Sequence, residues 1–156
     1  MMSMDAIVNA GFTIANFTDT SGNPSASKVY RAARIILAQP DLAGYFGSGS
    51  GVASQEQYWS AYGLAKAFWE LDLDIPAVIR LGGNTEDRAV DIWHRISKLL
   101  RAPVEGYRKT DTPALIATRF AELVASACGT KWKPRRPRVP KFVKDPTATK
   151  LAVKNG

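Results

Sequence analysis

Pro76-Ala77-Val78-Ile79-Arg80-Leu81-Gly82-Gly83-Asn84 decides how this chain is read. Pro76 to Leu81 is apolar except for Arg80, which suits a strand buried on both faces in the middle of a parallel sheet. Gly82 and Gly83 turn the chain. Asn84 is placed to cap a helix, and Glu86 and Asp87 in its first turn complement the helix dipole. That helix is expected to run to about Leu100, with the strand Val104–Arg108 behind it. Thr112 then caps a last helix, with Pro113 at its first position and Ala127 near its end. Upstream, Lys28 to Gln39 is amphipathic, with Val29, Ala32, Ala33, Ile36 and Leu37 on one face, and Pro40 stops it. Leu42 to Phe46 is a further strand. Ser54 and Gln57 form a capping box for a helix reaching about Glu70. Ile14 to Thr18 is a short first strand, closed by the turn Asp19–Pro24. Strands and helices therefore alternate four times, which predicts an α/β fold with a parallel sheet and flanking helices. Sites in such sheets form at the carboxyl ends of the strands. Here those ends carry loops 19–24, 47–53, 82–84 and 109–112.

The length of 156 residues fits one domain, and 46% apolar with 22% charged residues is ordinary for a globular chain. One cysteine, Cys128, and one histidine, His94, exclude a disulfide framework and a Cys- or His-based metal site. No metal ligands are expected. No basic and apolar leader opens the chain, and no apolar run approaches the length of about 18 residues that spans a bilayer. The expected setting is the cytoplasm, away from membranes.

Net charge is +7, and its distribution matters more than its sum. Residues 131–156 hold nine Lys/Arg and one acid, +8; residues 1–130 hold twelve bases and thirteen acids, −1. The chain divides into a near-neutral domain, 1–130, and an extended basic C-terminal tail, 131–156. Pro134, Pro137, Pro140 and Pro146 forbid a continuous helix in the tail. Its interspersed Trp132, Phe142 and Leu151 suggest a strap that docks on a partner. A solubilising tail and direct nucleic-acid contact are the alternatives, the latter the weaker.

The richest chemistry lies in Gly47-Ser48-Gly49-Ser50-Gly51-Val52-Ala53, between a strand and a helix. Its glycines permit close approach of a ligand, and the free N–H groups of the helix start attract phosphate or carboxylate. It is neither a P-loop nor a dinucleotide fingerprint, and a plain flexible turn is the other reading. Arg80 either pairs with an acid or reaches a substrate carboxylate. Asp72 and Asp74 are expected to be solvated at the opposite sheet end. Cys128 is read as a small buried residue, His94 as a surface or packed one, and Trp59, Trp69 and Trp93 as packing or interface residues.

These stretches resemble one family in order along the chain. Pro76–Asn84 is similar to the P-V-V-V-R-L-E-G-N segment of succinyl-CoA synthetase β subunits. Met4-Asp5-Ala6-Ile7 resembles T-M-D-I-I, Ala15–Asp19 resembles A-N-F-L-D, and Val29–Ala38 resembles E-A-F-K-I-I-L-S. Phe46-Gly47 through Gly51-Val52 resembles F-G-G-I. The resemblance runs from about Met4 to about Val124 and is to the C-terminal CoA-ligase domain of ADP-forming acyl-CoA synthetases. It implies a flavodoxin-like sheet of order 2-1-3-4-5 in which the first strand of the family fold is missing from this chain, so that another polypeptide supplies or covers it. It implies a non-autonomous subunit of an acid–CoA ligase. The acyl phosphate and phosphohistidine chemistry would use a histidine of a partner, with no catalytic residue in this chain. Mg-ATP and CoA would be bound mainly by an ATP-grasp subunit and a CoA-binding subunit, and the substrate would be a small carboxylic acid. Gly49, Ser50, Gly51, Val52 and Ala53 match the substrate- and phosphate-binding loop. Asn16, Arg80 and Asn84 are candidate substrate-side residues. The alternative is a non-catalytic scaffold or regulatory subunit of the same fold that binds protein or nucleic acid through its tail.

Overall fold

The computed structural model describes residues 2–20, 24–49 and 57–139. Its elements are α1 (Met2–Asn9), α2 (Ala26–Ile36), β1 (Tyr45–Ser48), α3 (Gln57–Glu70), β2 (Ala77–Arg80), α4 (Glu86–Ser97), β3 (Val104–Tyr107) and α5 (Pro113–Ser126). The three strands form one parallel sheet in the order β1-β2-β3, with Tyr45 opposite Ala77 and Ala77 opposite Val104. As predicted, the apolar segment before Gly82 is the central strand.

Alternation along β2 builds two cores, because successive side chains leave a strand on opposite faces. Ala77 and Ile79 join Phe68, Trp93, Ala33 and Leu37 under α2, α3 and α4. Val78 joins Ile7, Ile116 and Phe120 under α1 and α5. Two glycines let the layers close. A Cβ on Gly63 of α3 would stand 2.4 Å from the Ala26 carbonyl oxygen of α2, and one on Gly106 of β3 would stand 2.4 Å from Trp93 Cδ1.

Helix ends follow local chemistry where the sequence signals were strong. Thr112 caps α5, its side chain accepting from Leu115 N, and Pro113 opens the helix. Ser25 caps α2 in the same way through Lys28 N. At α4 the cap is Thr85 rather than the predicted Asn84; Thr85 is left-handed (φ 59°) and makes no side-chain cap bond to its own helix. The Ser54–Gln57 capping box falls on residues whose side chains lie outside the described set.

Three predicted features are corrected. Ile14–Thr18 is irregular, not a strand. Exposure alternates from Gly11 to Phe17 as in a strand, but no described residue offers it a ladder partner. Without a neighbour, an extended segment leaves its peptide groups to water. The strand predicted at Leu42–Phe46 is shifted to Tyr45–Ser48, because the Leu42 carbonyl accepts from Trp132 N at 2.8 Å instead. Cys128 is exposed, not buried, since its left-handed backbone (φ 54°) just past α5 turns it off the core.

The basic segment after Thr130 supplies an unexpected part of the core. Residues 131–139 run along their own domain at the end of the sheet where the strands begin. Trp132 is completely buried, and its indole N–H donates to the Leu37 carbonyl at 2.7 Å, capping the end of α2. Asp41 N donates to Trp132 O at 2.8 Å. Arg135 bonds the Asp72 carbonyl (2.6 Å) and pairs with the Asp74 carboxylate. Arg138 bonds Asp72 Oδ1 at 3.1 Å, and Arg101 pairs with Asp72 from another side. Asp72 and Asp74 are thus partly buried ion-pair acceptors, not the solvated turn residues expected. Residues 140–156, the rest of the basic tail, lie outside the described residues.

Candidate functional site

The opposite end of the sheet, where the strands finish, gathers three of the predicted site residues, Gly49, Arg80 and Asn84. Gly49 N donates to Arg80 O at 2.7 Å, extending the β1–β2 ladder one residue past Ser48. Ser48 Oγ accepts from Ser3 Oγ at 2.8 Å, which holds the start of α1 beside the end of β1. On the far side of the Gly/Ser loop, Tyr58 N donates to Thr85 Oγ1 at 3.3 Å. Tyr58 lies in the first turn of α3, whose N–H groups have no partner within the helix. The Thr85 hydroxyl therefore satisfies one of them from the neighbouring β2–α4 turn. The loop between Gly49 and Gln57 is tied at both ends to the residues that follow β2. Ser50, Gly51, Val52 and Ala53 themselves lie outside the described residues.

Arg80 is half-buried and pairs with no acid among the described residues. Its Nε donates to Asp111 O and its Nη2 to Lys109 O, both at 2.8 Å. It holds the β3–α5 loop against β2 through carbonyl oxygens. The first turn of α4 holds the same loop. Asp87 Oδ1 accepts from Arg108 Nε at 2.9 Å, and Glu86 Oε2 accepts from Lys109 N at 3.3 Å. Asp111 Oδ2 accepts from Arg108 N at 2.9 Å. Asn84 is exposed at this end, and Gly83 beside it has φ +138°, a conformation that asks for glycine. Asn16 sits elsewhere. Its Nδ2 donates to Ile36 O and to Gln39 Oε1 (2.7 Å) at the C-terminal end of α2, the end of the molecule where the strands begin. Gly49, Arg80 and Asn84 come together; Asn16 does not join them. His94 is exposed in the last turn of α4.

Thr85, Ser3 and Ser48 are residues that sequence reading missed. Thr85 adjoins the highlighted Asn84, but nothing local announces that its hydroxyl serves a helix 27 residues upstream. Beside the site, β3 carries one tuned carboxylate. Arg119 grips Glu105 in a bidentate pair (Nη2–Oε1 2.8 Å), which holds the Glu105 carboxyl below its ordinary value; Tyr107 OH also donates to it at 2.5 Å. Burial, and then that bond to a carboxylate, push the Tyr107 phenol up to about 12. Among the described residues no group of three His, Cys, Asp or Glu could hold a metal ion, and no helix is long and apolar enough to cross a membrane.

With the geometry known, comparison with other proteins identifies the relatives. The chain is 35% identical over 92 residues to the β subunit of the ADP-forming succinate–CoA ligase of Alkaliphilus metalliredigens, which covers 59% of this chain and 23% of that one. The β subunit of the GDP-forming enzyme of Thermus thermophilus is 32% identical over 90 residues, 57% of this chain and 23% of the relative. That of Rhodopseudomonas palustris is 39% identical over 88 residues, 54% and 21%. The chain resembles succinate–CoA ligase β subunits. It spans about a quarter of the length of the relatives it matches. No protein-family model matches it. In fold, it is similar to ATP citrate lyase of Methanothrix soehngenii, solved with citrate and coenzyme A (TM-score 0.56, 19% identity, 65% of this chain and 28% of that one). It is likewise similar to a variant of ATP citrate lyase of Methanosaeta concilii solved with (3S)-citryl-CoA (TM-score 0.53, 20% identity, 62% and 27%). The resemblance to succinate–CoA ligase β subunits is thereby borne out.

Proposed function

We propose that this chain is a subunit of a hetero-oligomeric, ADP-forming acyl-CoA synthetase that joins a small carboxylic acid to CoA at the expense of ATP. The observation that carries the reading is the 32–39% identity to succinate–CoA ligase β subunits over 88–92 residues. In the reaction, ATP phosphorylates a histidine of a partner, releasing ADP. The phosphoryl group passes to the carboxylate to give an acyl phosphate, and the CoA thiol displaces phosphate. Mg-ATP and CoA belong to the ATP-grasp and CoA-binding partners. This chain contributes the strand-end loop: the Gly49 N–H is spent on Arg80 O, and the backbone N–H groups from Ser50 to Ala53 are offered to carboxylate or phosphoryl oxygens, the donor arrangement that stabilises developing negative charge. Two features support that role. Both ends of the loop are anchored to the β2–α4 turn, through Arg80 O and Thr85 Oγ1. Glycine at positions 49 and 51 leaves room for close approach. Asn84, exposed beside the loop, is a candidate for the substrate carboxylate. Arg80 serves as a positioning residue that sets the β3–α5 loop.

The outer edge of β1 supports the subunit reading. Tyr45 N and Gly49 N point at β2, so the peptide groups of Phe46 and Ser48 point away from it, with no backbone partner among the described residues. A strand from a partner polypeptide covers this edge in the proposed assembly, and residues 140–156 add a basic contact to an acidic neighbour. The assembly works in the cytoplasm.

The test is native mass spectrometry of the protein purified gently from its own source, followed by assay of the intact complex with a panel of carboxylic acids. An ATP-grasp chain and a CoA-binding chain should co-purify, and ADP should form with turnover only when acid and CoA are both present, stopping at about one equivalent per phosphorylated histidine without them. A chain that runs alone rejects the subunit reading. In the active complex, Gly51→Val should abolish ligation while complex mass and circular dichroism stay unchanged; full turnover would remove the loop from the mechanism.

A further inference from the structure

The outer surface of α2 and α3 differs from the rest of the molecule in charge and in exposed aromatic area. Helix α2 carries Lys28, Arg31 and Arg34 with no acid, and α3 carries Lys66 and Glu70, so the pair is net +3. Helix α4 has three acids and two arginines, net −1, and α5 has one of each. On this positive surface Trp59 and Tyr62 are each 51% exposed. They are three residues apart on α3 and share a face, which Lys66 continues a turn later.

The cations of this surface are already ordered. Lys66 Nζ lies 4.9 Å and Arg34 5.6 Å from the centre of the Tyr30 ring. Arg88 lies 4.1 Å over Tyr58, and Arg138 lies 4.7 Å over Trp69. Arg138 N also donates to Glu70 O at 2.7 Å, so the basic C-terminal segment passes the end of α3. Cations resting on aromatic rings lose less freedom when they meet an anion than free side chains do.

We infer that the α2–α3 face docks an acidic protein segment, with Trp59 and Tyr62 as apolar anchors and Arg34 and Lys66 as carboxylate partners. Exposed Trp and Tyr on a net-positive helix pair supply the aromatic anchors and the arginine that concentrate binding energy at protein interfaces. The inference stands apart from the ligase reading, because it uses neither the Gly/Ser loop nor the β1 edge.

The full chain, labelled with nitrogen-15, tests it. Four indole N–H signals are available, and those of Trp93 and Trp132, both buried, serve as internal references. The probe is a synthetic peptide of Asp, Glu and Leu; a single-stranded oligothymidylate of equal length is the comparison. The peptide should displace the Trp59 indole signal and the Tyr62 and Lys66 amides, leaving Trp93 and Trp132 in place. Replacing Trp59→Ala and Tyr62→Ala together should weaken peptide binding about tenfold, the scale of losing aromatic anchors, and Arg34→Gln should flatten its salt dependence. No displacement at low salt, or peptide affinity unchanged in the double variant, overturns the inference. Tighter binding of oligothymidylate at the same signals also overturns it, in favour of a nucleic-acid surface.

Discussion

Thr85 concentrates two jobs in one side chain. Its backbone starts α4 from a left-handed conformation, and its hydroxyl accepts from Tyr58 N of α3. Thr85→Val keeps the shape and removes the acceptor. A lost hydrogen bond of this kind costs about 1 kcal/mol. Urea denaturation of the isolated chain should show that loss, and turnover of the complex should fall because the first turn of α3 is no longer held beside Asn84. Equal stability of the variant and wild type would deny the contact any weight. Glu105 makes a pH prediction. Arg119 lowers its pKa from the ordinary 4.5, so the folded state favours the ionised form. That stabilisation is fully present above about pH 4.5 and is lost as the pH falls through the lower folded-state value. Tyr107 has the opposite sign: its raised value favours the neutral phenol, so its contribution holds below pH 10 and disappears as the pH rises toward about 12. Stability measured against pH should fall at both ends, and Glu105→Gln should flatten the acid limb.

At the scale of elements, the segment 131–139 works as the last piece of the core. Trp132 fills the space between the end of α2 and the turn before β1, and three arginines converge on Asp72 at the end of α3. Trp132→Ala removes a completely buried indole, which costs about 3–5 kcal/mol in a core. Trp132→Phe, which keeps a ring and loses only the bond to Leu37, should cost less. A denaturation midpoint unchanged by the alanine variant would mean the segment is not part of the folded unit. Composition alone marked 131–156 as one basic tail. The docking of residues 131–139 on their own domain was not legible, because the partner of Trp132 is 95 residues away in sequence. By contrast α5 was legible to the residue: its cap, its first-position proline and its end are set by neighbours within four positions.

For the whole molecule, the sheet has two outer edges, β1 and β3, and neither has a strand partner among the described residues. Cores lie on both faces of β2, yet the outer edge of β1 has no ladder among the described residues. Hydrogen exchange should therefore be fast at Phe46 and Ser48 and slow at Tyr45 and Gly47 in the isolated chain. In the proposed complex the first two should become protected. Exchange that stays fast at Phe46 and Ser48 in an active complex would exclude a strand at this edge.

The sequence by itself determined the βα alternation, the central place of Ala77–Arg80 and the family resemblance, because apolar periodicity, caps and glycine turns act over a few residues. It also picked out Gly49, Arg80 and Asn84, since loops that follow parallel strands share one end of the sheet. Only the tertiary structure decided that Ile14–Thr18 forms no strand, that Arg80 spends its guanidinium on the carbonyls of Lys109 and Asp111, and that Asp72 and Asp74 are ion-pair acceptors. A ladder, a carbonyl cradle and an ion-pair cluster all need partners from distant parts of the chain, and those meet only when the packed core brings them together.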